Sequence, residues 1–139
     1  MDALIIEETE NSPKIHFDPA ELNFEISGES RPEDVRKFYE PVLEWFDQFN
    51  SYLYWLTDKY ADGEKKLIQF NFKFEYFNSS SAKYVMDIMA KLSEIQTNCP
   101  KAKIVICWHY DEMDEDMQEA GEEFENITNI PFEYVVVED

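Results

Sequence analysis

The hydrophobic periodicity changes abruptly in the middle of the chain, and this change constrains the fold more than any other feature. Residues 67–75 alternate apolar and polar side chains over most of their length, which is typical of a β-strand with one covered face. Residues 84–92 instead place apolar side chains three and four positions apart, which predicts an amphipathic α-helix. The segment between them contains Asn78-Ser79-Ser80-Ser81. We therefore expect a strand from about Leu67 to Phe77, with Tyr76 on its covered face, that enters a helix through three consecutive serines.

This serine turn has two interpretations from the local pattern alone. Asn78 or a serine could simply cap the helix, since these residue types accept hydrogen bonds from the free N–H groups of a first turn. The same free N–H groups and the positive end of the helix dipole also favour an anion, either a bound ligand or a phosphate attached to a serine. Both interpretations place hydroxyl groups at an accessible helix start.

The segments before and after the turn, over most of the chain, predict a small α/β domain. Two short alternating runs, 14–17 and 22–26, flank Asp18-Pro19 and predict a hairpin. Ser30 and Glu33 have the spacing of a capping box, so a helix should follow and continue to about Tyr60. Further on, we expect a helix that buries residues 85–95, a strand at 104–110 and a closing strand at 130–137. Between these two strands we expect an acidic helix whose inward face carries Met113, Met117, Ala120 and Phe124.

The predicted order is β-β-α-β-α-β-α-β, a mixed sheet with an opening hairpin. Right-handed crossovers put the helices mainly on one face. We expect residues 1–11 to be a mobile N-terminal lead-in and residues 12–139 to form one domain. Tyr52, Tyr54 and Trp55 are interpreted as core, with a contact patch as the alternative.

The charge excludes several classes of partner. Twelve basic residues against 31 acidic ones give a net charge of −19, which disfavours nucleic acid and anionic membrane surfaces and favours a partner with a basic surface. The first seven residues lack the basic start and the long apolar run of a signal peptide. Cys99 and Cys107 lack metal-type spacing, which favours reduced thiols. The expected location is the cytoplasm.

The residues offer little for catalysis. The chain has no G-x-S-x-G elbow, no P-loop and no G-x-G-x-x-G motif. His16 and His109 are its two histidines, and neither forms a metal-ligand pair with a cysteine. An enzymatic hypothesis is a hydrolase with Ser79 or Ser80 as nucleophile and His109 as base, but the missing glycines of an oxyanion hole argue against it. We predict a protein that is not an enzyme and needs no cofactor or metal.

Several stretches together resemble one protein family. The run Tyr76-Phe77-Asn78-Ser79-Ser80-Ser81-Ala82-Lys83 is similar to the Y-[FL]-N-[TS]-S-S-x-K signature of the bacterial SiaC family of regulatory phosphoproteins. Pro32-Glu33, the run 108–111, Glu122-Glu123-Phe124 and Pro131-Phe132 agree with the same family. The arrangement of elements also resembles the STAS-like fold of anti-sigma-factor antagonists.

The resemblance implies a partner-switching protein. It places the phosphorylated hydroxyl on Ser79, directly after the Asn, with Asn78, Ser80, Ser81 and Lys83 as its immediate surround and partner-binding residues. It implies a Ser/Thr kinase, a PP2C-type phosphatase and a GGDEF diguanylate cyclase as partners. The unphosphorylated form is expected to bind and promote the cyclase, which links the chain to cyclic di-GMP signalling and biofilm formation. The alternative is a STAS-like anti-anti-sigma-type module of another circuit.

Overall fold

A six-stranded mixed sheet with three helices forms the structure, a computed structural model that describes residues 1–138. Asp139, the last residue of the expected domain, lies outside the described residues. The strands follow one another in sequence order across the sheet. The elements are β1 Leu4–Ile6, β2 Lys14–Asp18, β3 Asn23–Ser30, α1 Val35–Thr57, β4 Lys66–Phe77, α2 Ser79–Asn98, β5 Ala102–Asp111, α3 Glu115–Ile127 and β6 Phe132–Val137.

The connections explain why the helices share one face. Strands β1, β2 and β3 pair antiparallel, whereas β3, β4, β5 and β6 pair parallel. Each of the three helices crosses between neighbouring parallel strands in the same direction, so right-handed connections place all three on one side. Aromatic rings from that side fill the core, as in the contact between Phe46 of α1 and Phe70 of β4. The expected mixed α/β sheet is confirmed.

Three details of the fold differ from the sequence-based expectation. Leu4–Ile6 forms β1 against β2, a strand that the expected lead-in over residues 1–11 did not include. Helix α1 ends at Thr57 instead of Tyr60. Tyr54 and Trp55 are 57% and 61% exposed, so their interpretation as core was wrong, while Tyr52 is only half-buried.

The predicted capping box was also wrong. Ser30 lies in the last position of β3 and is fully buried, so it cannot cap α1. Asp34 is the cap instead, and its side chain accepts a hydrogen bond from the N–H of Lys37 at 3.0 Å. The backbone stays extended to Ser30 because Ser30 pairs with Phe77 at the end of β4.

A β-bulge near the end of β4 sets the direction of the residues that precede the serine turn. Gly28 pairs with Phe74, but the next residue, Glu29, pairs with Tyr76, so β4 has one extra residue there. A single extra residue reverses which face the following side chains occupy. Tyr76 is consequently 49% exposed, contrary to its expected place on the covered face. Phe77 turns inward instead and packs against Trp108 and Phe124.

Candidate functional site

The serine turn is a well-capped helix start at the carboxyl end of β4. Asn78 has an extended backbone, and its side chain accepts a hydrogen bond from the N–H of Ser81 at 2.9 Å. Its carbonyl accepts from the N–H of Ala82, the first backbone bond of α2. The capping interpretation is therefore confirmed, with Asn78 as the cap.

The three serines have different environments. Ser79 and Ser80 are the first two residues of α2 and are both exposed. Their N–H groups lie in the first turn, where an α-helix provides no backbone acceptor. The first turn carries no acidic side chain, which leaves the positive end of the dipole uncompensated by α2 itself. Ser81 follows Ser79 and Ser80 in the sequence but, unlike them, is fully buried.

A buried network of three hydroxyl groups holds this turn from beneath. The Ser81 hydroxyl donates to the Ser30 carbonyl at 2.9 Å, and the Ser30 hydroxyl donates to the Ser81 oxygen at 2.9 Å. Tyr39 of α1 therefore donates to the Ser30 oxygen, at 2.5 Å, and every proton of the network has an acceptor. The N–H of Asn78 also donates to the Ser30 carbonyl, at 3.1 Å.

Tyr39 stays neutral in this network. Burial raises the pKa of Tyr39 to about 12. Its ring also stacks on Tyr84 of α2, with centroids 5.4 Å apart and planes 9° apart. The network thus ties the ends of two strands to both α1 and α2. Sequence reasoning missed Ser30 and Tyr39, because no local pattern relates them to Ser81, which lies 51 positions after Ser30 and 42 after Tyr39.

Lys83 lies one helical turn after Ser79, so the four-residue spacing places it on the same side of α2. Its side chain is exposed. Its ammonium group lies 3.3 Å from a carboxylate oxygen of Asp87 and 4.6 Å from the centre of the Tyr84 ring. The side chain is therefore directed along α2 in this structure. Two-thirds of it is exposed, so the ion pair with Asp87 holds it only weakly.

The surface beside the turn is both apolar and acidic. A cavity of about 250 Å³ lies between the end of β4 and the start of α3, with Tyr76, Phe77, Asp116 and Met117 in its walls. A second cavity, of about 550 Å³, adjoins it and shares Glu75 and Asp114. Asp114 also caps α3, by accepting from the N–H of Met117 at 3.0 Å.

His109 does not come together with the serines. Its ring lies 3.1 Å from the side-chain oxygen of Asn71, on the helix-free face of the sheet. It is beside Lys73, because Trp108 pairs with Phe72. Lys73 precedes the end of β4 by four residues, so His109 is roughly 13 Å below the turn along the strand. Burial, then Lys73, lowers the pKa of His109. The geometry gives the hydrolase hypothesis no support.

The described part of the chain has no group of three or more His, Cys, Asp or Glu side chains arranged to hold a metal ion. The stretch after β5 forms a turn and then α3. Met113 was expected to face inward, but it lies in this turn and is 79% exposed.

Among residues 1–138, no helix combines the length and apolar character needed to span a membrane.

Comparisons with known proteins agree along the whole chain. The family model described as SiaC family regulatory phosphoprotein matches residues 6–137. An uncharacterized protein of Pseudomonas aeruginosa strain UCBPP-PA14 is 30% identical over 132 residues, covering 95% of this chain and 94% of its own. The chain is also similar to apo-SiaC from Pseudomonas aeruginosa, at 27% identity and a TM-score of 0.78, with 97% of this chain and 99% of that one covered.

A further similar structure shows SiaC of Pseudomonas aeruginosa in complex with the diguanylate cyclase SiaD, of which SiaC is the activator. The identity is 28%, the TM-score is 0.79, and the match covers 96% of this chain and 99% of that one. Sequence and fold therefore lead to one assignment: this chain belongs to the SiaC family of regulatory phosphoproteins.

Proposed function

We propose that this chain is a cytoplasmic partner-switching protein that is reversibly phosphorylated on Ser79. A Ser/Thr kinase adds the phosphate and a PP2C-type phosphatase removes it. The unphosphorylated form binds a diguanylate cyclase and promotes its activity, and so controls cyclic di-GMP and biofilm formation. The observation that carries the proposal is an exposed serine at the first position of a rigidly capped helix, in a family whose Pseudomonas aeruginosa member activates a cyclase by complex formation.

Accessibility narrows the choice among the three serines. A kinase must bring the hydroxyl oxygen to a phosphoryl group, which a fully buried side chain does not allow. Ser81 is buried and both donates and accepts within the hydroxyl network, so we assign it to holding the turn. Ser79 and Ser80 remain, and the position directly after the Asn favours Ser79.

The electrostatics of the turn suit a reversible modification. A phosphate adds about −1.5 to −2 charges and three acceptor oxygens. The free N–H groups and the dipole at the start of α2 stabilise that charge within the protein. To approach it, Lys83 gives up an exposed pair with Asp87 and its contact with the Tyr84 ring. The modification therefore need not unfold the turn.

A partner that covers the turn would respond differently. Packing a surface over Ser79 removes water from any phosphate there, and a desolvated charge without a partner is costly. The cavity beside Tyr76 and Met117 supplies the apolar contact for such a packed surface. Allosteric and modification couplings of this kind amount to about 1–3 kcal/mol, or roughly 5- to 150-fold in affinity.

Mass spectrometry of the protein from its own host tests the modification. We expect one phosphate per chain, on the peptide that contains Ser79. The phosphate should be lost in Ser79→Ala and kept in the matched variant Ser80→Ala, whose side chain is also exposed. A phosphate that persists in Ser79→Ala and disappears in Ser80→Ala would reject the assignment.

A further inference from the structure

Strand β6 forms a long edge of the sheet with unused backbone groups. The Pro131 carbonyl accepts from the N–H of Ile106, and the Val137 carbonyl accepts from the N–H of Glu112, so odd-numbered residues bond to β5. In a parallel ladder the alternate residues point their backbone groups to the other side. The N–H and C=O groups of Phe132, Tyr134 and Val136 therefore line the outer edge.

The edge is also accessible and rich in strand-forming side chains. Val135, Val136 and Val137 are 39%, 47% and 47% exposed. Their β-branched side chains favour pairing with a further strand. Within residues 1–138 the sheet ends at β6 on this side and at β1, which has only three residues, on the other. Proteins usually protect such edges with charged side chains, proline or a bulge, and β6 has no lysine, proline or bulge and one charged residue, Glu133.

From Ile104 onward the charged side chains are all acidic. All 12 basic residues of the chain lie between Lys14 and Lys103, so residues 104–139 contain none. Glu133 lies within β6, and Glu125 accepts a hydrogen bond from the Tyr134 hydroxyl at 2.7 Å. None of the ion pairs formed by the described residues involves β5, α3 or β6. The acidic side chains beside this edge therefore take part in no ion pair among the described residues.

We propose that β6 is a docking edge for an extended, basic segment of a partner protein, which adds to the sheet as a seventh strand. Main-chain bonds to Phe132, Tyr134 and Val136 provide the affinity, and the surrounding carboxylates select lysine- or arginine-bearing strands. A second copy of this chain is the less suitable occupant, because it would bring the same acidic groups against themselves. The proposal is independent of Ser79.

A synthetic peptide of alternating valine and lysine, about nine residues long, serves as the probe. Titration followed by amide NMR should shift the signals of Phe132, Tyr134 and Val136 first and slow their hydrogen exchange. The same peptide with glutamate for lysine is the charge control and should not bind. A peptide with every second amide N-methylated keeps its charge but loses one hydrogen-bonding edge, and it should bind about tenfold more weakly or worse.

Val136→Pro is the matching change in the protein. It removes an outward N–H and leaves the bonds to β5 intact, so it should weaken binding about tenfold, whereas Val136→Thr should keep it. Three results would overturn the proposal: shifts located away from β6, equal binding of the N-methylated peptide, or no binding at all. A concentration-dependent dimer that Val136→Pro abolishes would also overturn it, by making a second copy the occupant.

Discussion

Replacing Ser81 with alanine is the sharpest test of how the serine turn is built. The substitution removes the donation from Ser81 to the Ser30 carbonyl and the acceptor of the Ser30 hydroxyl. The carbonyl keeps the N–H of Asn78, so it is not orphaned. The Ser30 hydroxyl keeps the donation from Tyr39 but has no acceptor for its own proton. One buried donor is therefore left unsatisfied.

The cost follows from that single orphan. An unsatisfied buried donor costs about 1–3 kcal/mol, and the space left by one oxygen atom adds little. For a domain of this size we expect the thermal midpoint to fall by about 3–9 °C. Helix propensity acts in the opposite direction, because alanine is a better helix former than serine. That gain is roughly a few tenths of a kcal/mol, which is smaller than the cost of the unsatisfied donor.

Thermal and chemical unfolding followed by circular dichroism measure this cost. Ser80→Ala is the matched control, because Ser80 is exposed in the same turn, and it should stay within about 0.5 kcal/mol of the parent chain. Equal stability of Ser81→Ala and Ser80→Ala would refute the hydroxyl network. Phosphorylation of Ser81→Ala at the Ser79 peptide should persist, since the modified hydroxyl is untouched.

Two further predictions concern the packing and the titration of the sheet. A methyl group on Gly121 would lie 2.5 Å from Cδ1 and 2.6 Å from Nε1 of Trp108. Gly121→Ala should therefore lower the free energy of unfolding by about 1–3 kcal/mol and alter the near-UV spectrum of tryptophan. The exposed control Glu119→Ala should do neither. The pKa of His109 is lowered from 6.5 in the folded protein, so its contribution to stability is full above pH 6.5 and is lost as the pH falls through the lower, folded value. His109→Gln should remove that component of the pH dependence of unfolding; an unchanged pH profile in the variant would contradict the assignment.

Local periodicity was sufficient to place the central strand and the helix that follows it. The strand predicted from about Leu67 to Phe77 is Lys66–Phe77 in the structure, and the helix predicted to open within Asn78–Ser81 begins at Ser79. This succeeded because the alternating and the helical patterns are both long and meet at a recognisable cap. Family resemblance then supplied the partner class, which no pattern of polarity contains.

What the sequence could not provide depends on contacts between distant residues. Ser30 looked like a helix cap because its neighbours fit a local motif, but pairing with Phe77 keeps it in β3 and buries it. The bulge that exposes Tyr76 depends on the register between β3 and β4, which alternation within β4 does not reveal. β1 was missed because three residues are too few for a periodic signal. Tertiary pairing decided each case.

The most direct test of the central claim is the affinity of the chain for a SiaD-type diguanylate cyclase before and after modification of Ser79. Isothermal titration would compare the unphosphorylated protein, the protein phosphorylated only on Ser79, and Ser51→Asp, which adds charge at an exposed position of α1. We expect phosphorylation of Ser79 to weaken binding about tenfold or more, and Ser51→Asp to bind like the parent. Equal affinity of the phosphorylated and unphosphorylated proteins would contradict it.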